Sequence, residues 1–155
     1  MRAQRFTRQQ HEYQAGFSLM EVLVAVALVT IVFAAAGPSI SAMRGSFELQ
    51  NATFQIANDL RLARERAIAT NGKGRIVFSS DSYLLRRESP VGSGTYVDDG
   101  APFSLPVGVT ASSNPANPTF DSRGLTAQPY TITLTNTAAN QKTITVTAIG
   151  RISVD

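Results

Sequence analysis

From Phe17 to Ala36 the chain reads FSLMEVLVAVALVTIVFAAA, a run of 20 residues broken by one charge, Glu21. As a helix rising about 1.5 Å per residue it would span roughly 30 Å, close to one hydrocarbon core. Gly37-Pro38 follows. Proline lacks a backbone donor and disfavours α geometry at the residue before it, so a kink or local melting is expected there. Helical spacing then resumes. Ile40, Met43, Phe47, Phe54 and Ala57 make one stripe, and Leu49, Ile56, Leu60, Ala63 and Ala67 a second beside it, together a broad apolar face. Arg61, Arg64, Glu65 and Arg66 decorate the last turns, where cations suit the helix dipole. Asn71-Gly72 is a stop signal. The pattern predicts a helix from Phe17 to about Thr70, roughly 80 Å long.

From Lys73 onward the period changes to two. Arg75–Ser79 and Tyr83–Arg87 read as a strand pair around Ser80-Asp81-Ser82, Phe103–Val109 as a further strand, and Tyr130–Thr135 and Thr143–Ile149 as a well-alternating pair. Tyr130, Ile132 and Leu134 share one face, as do Ile144, Val146 and Ala148. Pro90–Pro102 and Ser112–Pro118 read as loops, and Gly150 as a bulge or turn before a last strand at Arg151–Val154. The expected fold class is α+β, with the long helix packed on a single antiparallel sheet.

The apolar run has three readings. A buried core helix would have one polar side, and this segment is apolar nearly all round. A secretory signal would use Arg2, Arg5 and Arg8 as its basic region and Ala34-Ala35-Ala36 as a cleavage site before Gly37. Against it stand the length of the run and the carboxylate inside it. A membrane anchor accounts for the length, and the arginines before it place the leader in the cytoplasm and the rest outside. Glu21 then needs a partner, because an ionised group at membrane depth is costly.

The formal net charge is +3, but Arg2, Arg5 and Arg8 against Glu12 supply most of it, so the remainder is nearly neutral and little suited to nucleic acid. There is no cysteine, and His11 is the one histidine. Without the first 16 residues the chain has neither, which excludes Cys-His and Ser-His nucleophilic sites and zinc sites of the usual ligands. No cofactor is expected.

Ala15-Gly16-Phe17-Ser18-Leu19-Met20-Glu21 resembles a type IV prepilin cleavage site. The resemblance implies cleavage by prepilin peptidase between Gly16 and Phe17, N-methylation of Phe17, an assembly role for Glu21, and a helix kink at Gly37 and Pro38. A second resemblance covers the rest of the chain. Asp59–Ile68 with Asn71-Gly72, Phe120-Asp121-Ser122-Arg123-Gly124 and Gly150-Arg151-Ile152 are similar to GspH/FimT-type minor pseudopilins and pilins. This implies a pilin-like fold and a structural subunit that primes or builds a type II secretion pseudopilus or type IV pilus, not an enzyme. The implied partners are other minor and major pilins, the inner membrane and its assembly platform. The organisation expected is a leader over 1–16, a transmembrane helix over 17–36, an amphipathic half over 37–72 and a periplasmic β-rich domain over 73–155. The protein would cross the inner membrane once, with its N-terminus in the cytoplasm.

Two alternatives accompany this reading. One is a soluble β domain secreted after cleavage before Gly37. The other is DNA binding, which the resemblance associates with a C-terminal Gly-Arg-x-Arg pattern and so with Arg151. Here Ser153 stands at the second arginine and Asp155 follows. Phosphate attraction scales with the cations used, so the departure weakens that alternative. Asp98-Asp99-Gly100 has the makings of a calcium loop but reads as a turn. Arg86 and Arg87 point to opposite faces of a strand. Arg61, Arg64 and Arg66 read as solvated or paired with Asp59 and Glu65.

Intact mass of the membrane-extracted protein tests the processing. Loss of Met1–Gly16 with gain of one methyl group is the expected result. A chain beginning at Gly37 would instead establish the secretory signal.

Overall fold

The computed structural model describes residues 17–155 and, within 35–42, the helical backbone without its side chains. The expected leader, with Gly16, lies outside the described residues, as does the geometry of the expected kink at Gly37 and Pro38, a stretch described only as helical. The chain divides into two compact units, Met1–Pro38 and Ser39–Asp155.

One helix, α1, covers Leu19–Ala69. Ser18 caps its start. The Ser18 carbonyl accepts from the Glu21 and Val22 amides at 3.0 and 3.2 Å, and its hydroxyl from Met20 N at 3.3 Å. At the other end Asn71 takes the left-handed conformation, φ 51°. The Gly72 amide reaches back to the Ala67 carbonyl at 3.1 Å and Asn71 N to Ile68 O at 3.2 Å, the paired bonds of a Schellman stop. The stop signal at Asn71-Gly72 therefore works as expected.

The second unit carries nine strands among the described residues: β1 Gly74–Phe78, β2 Ser82–Glu88, β3 Tyr96–Asp98, β4 Phe103–Ser104, β5 Val109–Asn114, β6 Thr119–Phe120, β7 Tyr130–Asn136, β8 Gln141–Val146 and β9 Ile152–Val154. They form two antiparallel sheets where one was expected. One runs β3-β2-β1-β6 with β4 also on β2, and the other β5-β7-β8-β9. The expected strand Phe103–Val109 is divided. Phe103–Ser104 joins the first sheet, and Val109 opens β5 in the second. Pro106 and Gly108, φ +82°, turn the chain between them. Part of each expected loop is strand, β3 within 90–102 and the end of β5 within 112–118. Both are three-residue stretches paired by backbone bonds, too short for apolar alternation to announce them. Ala148 falls beyond β8 and is exposed, because Thr147–Gly150 has already turned, with Gly150 N on Thr147 O at 2.8 Å.

The core lies between α1 and the inner faces of both sheets. Ile56, Ala57 and Leu60 from the helix, Ile76 and Phe120 from the first sheet, and Ile132, Leu134, Ile144 and Val146 from the second are fully buried. Tyr83 reaches the helix with its hydroxyl, which donates to the Asp59 carboxylate, and its ring stacks on Phe103 at 5.3 Å between centroids. Burial first, then the bond to Asp59 and its charge, push the Tyr83 hydroxyl up from its ordinary range, so it stays protonated.

Two glycine turns meet at the end of α1. A Cβ on Gly150, φ +75°, would lie 2.0 Å from the Gly124 carbonyl oxygen and 2.8 Å from Arg64 Nε. Arg64 Nε donates to that same carbonyl at 3.0 Å. We expect Gly150→Ala to cost about 3 kcal/mol or more, from strain plus overlap with rigid backbone. Gly92→Ala has a similar φ, +83°, with nothing within 4 Å, and should cost only about 1 kcal/mol. Chemical unfolding of the two variants side by side measures the difference.

Candidate functional site

Phe17 stands immediately before the capping serine and is 83 % exposed. One turn on, Glu21 occupies the first turn of α1. Phe17, Glu21, Val22, Ala25 and Val29 line one shallow groove, apolar apart from the carboxylate and Thr30. Every residue from Phe17 to Ala34 is exposed. Among the described residues no helix is long and apolar enough to cross a membrane. Ala35 and Ala36, the end of the apolar run, fall in the stretch without described side chains.

In the second unit the two expected stripes of α1 part company. Leu49, Ile56, Leu60, Ala63 and Ala67 are buried. Met43, Phe47 and Phe54 are 60 %, 58 % and 50 % exposed. The expectation of one broad face against the sheet is corrected here: a helix offers a packed layer roughly one side. The buried side is the one rich in alanine, which admits close approach. Ala57 goes with the buried side, and Ile40 lies among the undescribed side chains.

Arg61 and Arg66 are exposed, and the arginines of the last turns bond groups other than Asp59 and Glu65. Arg61 donates to Asn58 at 2.7 Å, Arg64 to Gly124 O, and Arg66 to Asp99 across 2.7 Å. Asp59 is engaged by Tyr83 instead. Sequence spacing alone could not foresee Asp99, which β3 brings to the helix end. Arg86 and Arg87 do point apart, Arg86 to Asp98 at 2.7 Å and Arg87 towards Asp99 at 3.8 Å. Asp98 and Asp99 are thus matched with arginines, and no metal-holding group of carboxylates occurs among the described residues.

The motifs at 120–124 and 150–152 converge on Arg64. Asp121 shapes its turn by accepting from Arg123 N and Leu125 N, each at 2.9 Å. Burial works against its charge, but those amides and the Arg123 guanidinium outweigh it and hold the carboxyl below its ordinary range. Arg151 is exposed, its amide on Thr147 Oγ1 at 3.2 Å. The outward row across the second sheet beside it runs Asn114, Thr131, Thr145, Ser153, without a cation.

The family model for type II transport protein GspH matches residues 52–150. The chain belongs to the GspH family. Residues 13–37 match the prokaryotic N-terminal methylation motif, which takes in Gly16, Phe17 and Glu21. No curated protein matches the chain. Among solved structures, the Escherichia coli GspH solution structure is similar at TM-score 0.60 and 13% identity, over 70% of this chain and 88% of that one. Vibrio cholerae minor pseudopilin EpsH is similar at TM-score 0.58 and 13% identity, over 70% and 96%. The type IV minor pilin FimU of Pseudomonas aeruginosa is similar at TM-score 0.58 and 16% identity, over 71% and 90%. The pilin-like α+β fold is therefore shared by pseudopilins and pilins. As a GspH-family protein the chain is a structural subunit of a type II secretion pseudopilus or type IV pilus.

Glu88 organises the loop between β2 and β3. Buried at the strand end, it accepts from Gly94 N at 2.8 Å. That amide, with help from the Gly92 amide and from Lys73, overcomes desolvation and lowers its pKa. A depressed folded pKa stabilises the loop in full above the unfolded value of about 4.3, and the stabilisation is lost as pH falls through the folded one. Protection of the Gly94 amide from hydrogen exchange should therefore decline below about pH 4 in the natural protein. Glu88→Gln should show weak protection and no such decline.

Proposed function

We propose that this chain is a minor, membrane-anchored subunit that enters a pilin filament through α1 and presents its β unit on the periplasmic side. Cleavage between Gly16 and Phe17 by prepilin peptidase, with methylation of the new amine, makes the assembling form. The observation that carries the reading is the apolar helix surface left uncovered in each unit: the whole circumference from Phe17 to Ala34, and Met43, Phe47 and Phe54 in the second. Lipid satisfies the first before assembly, and neighbouring helices cover both in the filament.

Glu21 fits this function better than it fits anchoring. A leucine or glutamine would insert more easily. The carboxylate is relieved when it meets the Phe17 amine of an adjacent subunit, which favours entry and sets the axial stagger of the helices. The inner-membrane platform and the other minor and major pilins are the partners this requires. Priming, at the tip or base of the filament, suits a minor subunit. DNA uptake is the weaker reading, because the sheet face next to Arg151 carries hydroxyl and amide side chains in place of further cations.

Phe47→Glu and Glu21→Ala test the assembly role. Both should leave processing and membrane residence intact. Each should reduce crosslinking to partner pilins about tenfold or more in a strain that holds the other minor subunits, since burying one phenylalanine contributes ~1.5–3 kcal/mol. Natural levels of crosslinking in both variants would remove the assembly role.

A further inference from the structure

A cavity of about 290 Å³ opens between the last turns of α1 and strands β1 and β2. Its floor is made of small or apolar residues, Ala63, Ala67, Gly74 and Leu85, and its rim carries Arg66, Lys73 and Arg87 with the carboxylate of Asp99. Gly74 is what brings β1 so close to the helix: a Cβ there would lie 2.7 Å from the Ala63 carbonyl oxygen. One internal carboxylate thus serves two arginines unequally. Asp99 takes Arg66 at 2.7 Å and leaves Arg87 at 3.8 Å, beyond hydrogen-bond distance, with the Arg87 side chain 51 % exposed. Lys73 lies on the same rim, exposed, and its charge acts on Glu88.

From this arrangement we propose that the cavity is a docking site for an acidic peptide segment of a neighbouring filament subunit, its carboxylate on Arg87 and Lys73 and an adjacent apolar side chain on the alanine floor. The proposal rests on the filament reading above. Asp99 hydrogen-bonds Arg66 but is only within ion-pair reach of Arg87, so the Arg87 guanidinium keeps donors for a second carboxylate at the mouth of an apolar recess. A free inorganic anion would satisfy the rim and leave the floor uncovered. A carboxylate flanked by an apolar residue satisfies both. Guanidinium recognition of a carboxylate also fixes orientation, as an interface that repeats along a filament needs. The site lies wholly within the second unit.

The test uses the full chain in detergent micelles, unassembled, titrated by calorimetry or NMR. The probes are acetyl-Leu-Asp-Leu-amide, its Asn counterpart and acetate. The Asp peptide should bind saturably, at least about tenfold more tightly than the Asn peptide, as one charge-assisted bond supplies. Arg87→Gln should weaken the Asp peptide about tenfold, and Lys73→Gln by a smaller factor in the same direction. Arg61→Gln makes the same change in net charge on a helix residue bonded to Asn58 and absent from the cavity lining, and should leave binding unaltered. Equal affinity for the two peptides overturns the proposal. So does acetate binding as tightly as the Asp peptide, or Arg87→Gln behaving like Arg61→Gln. If these fail while Phe47→Glu still reduces crosslinking to partner pilins, the filament role stands and the acidic dock falls.

Discussion

Alanine spacing along α1 governs how the second unit is built. Ala52, Ala57, Ala63 and Ala67 lie on one side, interleaved with Leu49, Ile56 and Leu60, and all are buried. Small side chains let the backbone of β1 approach until Gly74 nearly touches the Ala63 carbonyl. Two sheets then share a single helix face, and their inward residues complete one core. Burial of this kind is the dominant favourable term in folding and scales with the apolar area removed from water. Because that area is collected on one side of the helix, the opposite side is free to carry Met43, Phe47 and Phe54 outward. The core and the exposed apolar surface thus follow from the same partition of a single helix.

The polar features at the helix end depend on the same close approach. Arg64 reaches across to the Gly124 carbonyl, against which Gly150 packs without a side chain. Three segments far apart in sequence, 59–68, 120–124 and 150–152, are thereby tied together. They are the segments that resemble GspH/FimT-type proteins, and the geometry gives them a structural reason: two positive-φ turns and one guanidinium occupy a space that tolerates no added carbon. Arg66, one turn's fraction further round, faces the β3 side and finds Asp99. The cavity beside it exists because its floor is alanine and glycine.

Much of this was legible along the chain. The apolar run, the glutamate within it and the glycine before Phe17 are local features, and they carry the processing motif without any fold. The helix stop at Asn71-Gly72 is local too, since a Schellman turn is made from the backbone of six successive residues. The alternation of Tyr130, Ile132 and Leu134 and of Ile144 and Val146 reported their burial correctly, because period two allows one answer when one face is covered.

Other features depended on partners distant in sequence. Whether Phe47 or Leu49 faces the core is not encoded by hydrophobicity, since both are apolar; it is settled by which side the sheets can approach, and they approach the alanines. Two short strands, β3 and β6, are held by backbone bonds to β2 and β1, and side-chain patterning does not announce them. The division of the expected single sheet into two follows from the turn at Pro106–Gly108, which sends β5 to pair with β7. Asp99 as the partner of Arg66 is 33 residues away in sequence. The sequence by itself determined the long helix with its stop, the well-alternating strands and the N-terminal motif, because backbone conformation and periodicity are short-range. Tertiary structure decided which apolar face is buried, how the strands divide and which charges meet, because each requires two surfaces to be brought together.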